Sequence, residues 1–191
     1  MAYDSAATKE RILAAATAEF AAYGVAGARV DRIAAQAEAN KRAIYEYFGD
    51  KQQLFAAVLE RLMADLARDV PPGDDDLPAY AERLFDHHRA HPEALRLLMW
   101  EALELGDRPV PAEDVRTRHY QDKARAAATA HPDDDPRSRL FFTLGLVAWT
   151  LTMPHLRRMI LGPDTTLDQL RPAIAHAVEA LPTERTPDEP A

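Results

Sequence analysis

The sequence predicts an all-α fold of about nine helices, and three observations lead there. Apolar residues recur at steps of three and four through almost every segment. Breaks rich in Pro and Gly separate those segments at helix-length intervals, and no strand-like alternation interrupts them. The 191 residues, 47% of them hydrophobic, suffice for one large domain or two small ones.

The elements follow in order. In "TKERILAAATAEFAAYG" the residues Ile12, Leu13, Ala16, Phe20 and Tyr23 mark one helical face, Thr8 offers an N-cap and Gly24 a stop, so a first helix is expected over about 8–23. "RVDRIAAQAE" places Val30, Ile33, Ala34 and Ala37 together and predicts a short second helix, about 30–37. Asn40 is a good N-cap for a third, about 41–47, with Ile44, Tyr47 and Phe48 facing inward. About three residues separate the second helix from the third, the spacing of a helix-turn-helix. "KQQLFAAVLERLMADLARDV" then carries apolar residues at 54, 55, 58, 59, 62, 63 and 66, a long amphipathic fourth helix. After the break "PPGDDDLP", further helices are expected at about 77–90, 93–105, 112–130, 137–161 and 165–181. The division is into 1–52, 53–182 and a polar, Pro-rich tail, 183–191, expected to be disordered.

Composition removes several classes of function. Without cysteine there is no disulfide framework, thiolate metal site or thiol nucleophile. The most apolar run, Leu140 to Met153, contains three threonines and a Gly and stops at Pro154, too short to span a bilayer. The N-terminus lacks the apolar core of a secretion signal, so a cytoplasmic protein with no membrane partner is expected. Net charge is −8, yet it is unevenly spread. Residues 1–52 hold seven Lys/Arg and seven Asp/Glu, and the remainder holds 16 against 24. Three of the four lysines, Lys9, Lys41 and Lys51, fall in the first segment. That asymmetry permits nucleic-acid binding at the N-terminal end. Arg outnumbers Lys nineteen to four, with abundant Ala and Pro, the usage of a GC-rich bacterial genome.

A helix-turn-helix lays its second helix in the major groove, N-terminal side chains on base edges and flanking groups on phosphates. On the third helix Lys41, Arg42, Tyr45 and Glu46 share the face opposite Ile44 and Phe48. Arg42 can donate two hydrogen bonds to guanine, Glu46 can accept from cytosine, and the Tyr45 hydroxyl can reach a phosphate.

The stretch "FAAYGVAGARVDRIAAQAEANKRAIYEYFGDKQQLF", Phe20 to Phe55, resembles the TetR family of transcriptional regulators. The family pattern is an amphipathic helix ending in Gly, a hydrophobic-x-x-Ile-Ala element, an Ala-Gly-Val-Ser-Lys-Gly-Thr-Leu-Tyr-x-Tyr-Phe segment, then Lys-x-x-Leu. The resemblance implies that Asn40 stands at the helix-capping Ser, Lys41 at the family Lys, Tyr45 and Phe48 at its aromatic positions, and Lys51 at the Lys beside the DNA backbone. Three departures stand out: Glu38 replaces the turn Gly, Ala43 replaces a Thr hydroxyl, and Arg29 occupies the Ser/Thr position before the second helix, exchanging a cap for an ionic contact. The operator is therefore not transferable from relatives.

The resemblance further implies an N-terminal three-helix DNA-binding domain followed by a larger helical domain that binds a small molecule and dimerises. "RLFFTLGLVAWTLTMPHLRRMIL", apolar on nearly all sides, and "TTLDQLRPAIAHAVEAL" would form the four-helix interface of a homodimer on a palindromic operator. Candidate pocket residues are Tyr80, His88, Trp100, Glu104, Tyr120 and Trp149, although such residues more often pack in a core or its rim. His87 and His91 have the i, i+4 spacing of a metal pair but no third ligand at characteristic spacing, so neither metal nor cofactor is expected. The expected function is a ligand-released repressor. Two other readings compete: a constitutive helix-turn-helix module, and a helical enzyme using Glu101, Glu104 or His88, for which no phosphate loop or nucleophile motif is present.

Overall fold

The computed structural model describes residues 5–71, 76–128 and 135–181, and among these every regular element is a helix. In chain order they are α1 Ser5–Gly27, α2 Val30–Gln36, α3 Lys41–Phe48, α4 Lys51–Asp69, α5 Leu77–Ala90, α6 Glu93–Leu105, α7 Glu113–Ala128, α8 Pro136–Thr152, α9 Pro154–Leu161 and α10 Leu167–Glu179. The single helix expected over 137–161 is two, because Met153 leaves helical geometry at φ −112, ψ 58 and Pro154 starts a new helix. Proline cannot donate to the preceding turn and pushes the residue before it out of the α region. The expected tail 183–191 and the end of the helix expected to reach residue 130 lie outside the described residues.

The chain forms two compact units, one of residues 5–65 with 92–111, the other of the described residues in 66–91 and from 112 onward. In the first, Ile12, Ala16 and Phe20 of α1, Ile33 of α2, Ile44 of α3, Leu54, Phe55 and Val58 of α4 and Leu97 of α6 make one buried cluster. Phe20 and Phe55 meet edge to face, ring centroids 5.3 Å apart. α1 breaks at Gly24 (φ 67), where a side chain would collide: a Cβ there would lie 2.9 Å from the Trp100 ring of α6. Just beyond the break, Glu104 Oε1 accepts hydrogen bonds from the backbone N–H of Val25 (2.9 Å) and Ala26 (3.1 Å), clasping the end of α1 to α6.

In the second unit α5 packs on α8 and α10, and α7 on α8, around Leu84, Phe85, Leu140, Val147, Ile174 and Val178. Arg171 of α10 pairs with both Asp86 and Glu82 of α5, and Arg89 of α5 pairs with Asp168. Thr166 and Gln169 form a reciprocal capping box that starts α10.

Candidate nucleic-acid interface

α3 begins where the sequence places it. The Asn40 side chain accepts from Arg42 N at 2.9 Å, satisfying an amide that the helix leaves without an internal partner. One side of α3 buries Ile44, while Lys41, Arg42, Tyr45 and Glu46 stand exposed on the other. Glu38 holds the turn between α2 and α3 at φ 49, the left-handed conformation that a glycine would adopt without strain. At the far end Gly49 takes φ 83, a conformation that strains any L side chain, and a Cβ there would displace the Gln53 amide, which with Asp50 caps α4 reciprocally at 2.8 and 3.1 Å.

The polar face carries its own ion pairs. Arg42 Nε donates to Glu46 Oε1 at 2.7 Å, with both side chains more than half exposed. Exposed pairs of this kind are weak, so either side chain can leave the pair at little cost. Lys41 Nζ is 2.8 Å from Asp31 Oδ1, which ties the start of α3 to α2 and raises the Lys41 pKa. Lys51 Nζ lies 3.3 Å from the carbonyls of both Ala26 and Ala28, holding the α1–α2 connection from the first turn of α4. Arg29 is the N-cap of α2 and makes no side-chain cap bond; the cap comes from α1, where buried Glu19 accepts from Arg29 N (2.8 Å) and Arg32 Nε (2.8 Å). Burial raises the Glu19 pKa, but the bonds from Arg32 and Arg29 outweigh it and leave the carboxyl below its ordinary value. Arg11 of α1 likewise donates to Ala37 O at the end of α2. The motif text held no sign of Glu19 or Arg11.

The other expected residues separate. Trp100 and Glu104 engage the end of α1, as described. Tyr120 lines a cavity of about 640 Å³ between α7 and α8, together with Leu140, Phe141 and Leu144, whereas Trp149 is 56% exposed and outside that lining. Tyr80 and His88 are buried on α5, and Lys123 of α7 donates to the Tyr80 hydroxyl at 3.3 Å. Desolvation pushes Tyr80 up to about 12, His88 down to about 4, and Lys123 below its usual range. Lys123 escaped notice in the sequence, although it is the one lysine beyond residue 51. The His87 and His91 rings lie 4.9 Å apart, yet among the described residues no group of three His, Asp or Glu side chains could hold a metal ion. Nor is any described helix long and apolar enough to cross a membrane.

Two family models match the chain: "Bacterial regulatory proteins, tetR family" over residues 12–58, and "Tetracyclin repressor-like, C-terminal domain" over residues 76–180. The chain belongs to the TetR family of transcriptional regulators. It is 46% identical to the HTH-type transcriptional repressor SCO4008 of Streptomyces coelicolor, over 94% of this chain and 97% of that protein. It is 33% identical to the HTH-type transcriptional repressor Rv3405c of Mycobacterium tuberculosis, over 87% and 85% of the two chains. Among solved structures, the putative transcriptional regulator SCO4942 from Streptomyces coelicolor superposes with a TM-score of 0.77 at 34% identity, covering 90% of this chain and 96% of the other. As a TetR-family member the protein is a DNA-binding transcriptional regulator, built from a helix-turn-helix unit and a helical C-terminal domain.

Proposed function

We propose that this TetR-family protein is a homodimeric repressor that grips a palindromic operator through two copies of α3 and releases it when a small molecule binds. The observation that carries the reading is the α3 face: Lys41, Arg42, Tyr45 and Glu46 project together from a capped helix whose opposite side is buried. Arg42 reads guanine, Glu46 reads cytosine, Tyr45 contacts phosphate, and Asn40, Arg29, Lys41 and Lys51 fix the approach to the backbone. DNA reading falls to residues 1–52, ligand binding and dimerisation to 53–182. That relatives are named as repressors supports the direction of control.

Dimerisation uses α8 with α10. Phe141, Phe142 and Trp149 are 71%, 52% and 56% exposed on α8 beside Gly145, an aromatic face of the kind that marks an interaction site, and a second copy covers it. Two reading helices one DNA turn apart multiply a weak single-site affinity. The effector acts by binding more tightly to the conformation whose α3 helices are wrongly spaced, since a ligand bound equally by both conformations shifts nothing.

Selection of bound sequences from random duplex DNA at two salt concentrations tests this. The expected product is a palindrome whose affinity falls steeply with salt. Recovery of single half-sites, or of no preferred sequence by folded protein, would overturn the dimeric operator reading.

A further inference from the structure

The interior of the second unit contains an amine that meets no counter-charge among the described residues. Lys123 of α7 is 4% exposed, and its hydrogen-bond partner is the hydroxyl of Tyr80, itself 5% exposed on α5. Among the described residues no carboxylate pairs with it, although this part of the chain has acids in excess. His88, two turns along α5 from Tyr80 and 4% exposed, has an Nδ1 atom with no hydrogen-bond partner among the described residues. An ammonium buried without a counter-ion is costly, and a methionine of similar length would avoid that cost. Three buried polar groups on two neighbouring helices, one cationic and one with an unused ring nitrogen, suit a ligand that brings acceptor oxygens and negative charge. A cationic ligand would meet like charge there.

An apolar compartment stands on the same helix. Tyr120, three residues before Lys123, lines the cavity between α7 and α8, whose walls include Leu140, Phe141, Leu144 and Ala148. Tyr120 and Lys123 are one turn apart on α7, and Ala124 beside Lys123 also lines the cavity, so the cavity wall and the buried cluster adjoin along that helix.

We propose that Lys123, Tyr80 and His88 form a carboxylate-binding site, and that the effector is a small organic acid whose apolar body occupies the α7–α8 cavity. The Lys123 ammonium supplies the counter-charge, the Tyr80 hydroxyl and the His88 ring complete the hydrogen bonding, and the cavity selects for an aromatic or aliphatic body. The proposal rests on the reading of this protein as a ligand-responsive regulator.

The test uses the full chain and two matched sets of probes: benzoate, phenylacetate and octanoate, and the corresponding uncharged amides. Binding is measured by calorimetry and by the shift in melting temperature, on the wild type and on Lys123→Met and Tyr80→Phe. At least one acid should bind the wild type and raise its melting temperature, with its amide at least tenfold weaker. Lys123→Met, which removes an unpaired buried charge, should fold at least as stably as the wild type and lose that preference for the acid. Tyr80→Phe should weaken acid binding several-fold. Failure of every acid to bind, amides binding as tightly as acids, or Lys123→Met retaining the wild-type preference would each overturn the proposal. Operator binding is measured separately with and without the acids. An operator released by neutral or cationic compounds but not by acids overturns the carboxylate site and leaves the regulator reading intact. Acid binding through Lys123 in a protein that selects no operator does the reverse.

Discussion

Glu38 carries a backbone conformation that suits another residue. At φ 49 it pays the steric penalty of an L side chain in the left-handed region, about 1–2 kcal/mol. Glu38→Gly should therefore raise stability to denaturant by about 1 kcal/mol, less the added freedom of the unfolded chain, without altering the order of operator preference. The departure from the family's glycine was visible in the sequence, and the conformation it strains is retained. Arg42 gives the opposite signature. Its exposed pair with Glu46 contributes little to folding, so Arg42→Ala should leave the melting temperature unchanged while operator affinity falls 10- to 100-fold. Equal losses of folding and binding would make Arg42 a structural residue. Neither Glu19 nor Lys123 could be read from the text: nothing in the spacing shows that a carboxylate on α1 caps α2, or that one lysine is interior.

Helices were legible because their signals are local. Asn40 caps α3, Pro92 precedes α6, and the apolar spacing of α4 survives unchanged in the structure. The break at Met153 and Pro154 was equally local but was outweighed by the apolar residues that resume beyond it at Leu156, Met159, Ile160 and Leu161. What escaped was pairing over long distances. The contact of Trp100 with Gly24 joins residues whose separation no periodicity encodes, and it places α6 in the compact unit of α1 to α3. The α8 face provides a check at this scale. Trp149→Glu puts a charge on an exposed aromatic surface, so the monomer should fold normally while sedimentation shows loss of the dimer and operator affinity drops at least 100-fold. A dimer unchanged by this substitution would assign the face another role.

For the molecule as a whole, charge distribution and pH response follow from the same residues. The N-terminal 52 residues are balanced and the rest is acidic, so the chain approaches DNA with its least repulsive end. His88 is neutral in the folded protein down to about pH 4, whereas in the unfolded chain it takes up a proton near its ordinary value of about 6.5. Between those values the unfolded state binds the extra proton. Its contribution to stability is therefore fully present above about pH 6.5 and is lost as pH falls toward 4, by on the order of 3 kcal/mol. Melting curves of wild type and His88→Leu across that range should converge in slope once this contribution is subtracted, and identical pH profiles would show that the ring is hydrated. The clasp of Glu104 on Val25 and Ala26 also orders events in time. Fifty-six residues separate Phe48, the end of α3, from Glu104, so at ~5–20 residues per second the ribosome needs roughly 3–11 s after making the reading helix to make the group that secures α1. During synthesis the unit that reads DNA is left unfinished until the chain is more than half made.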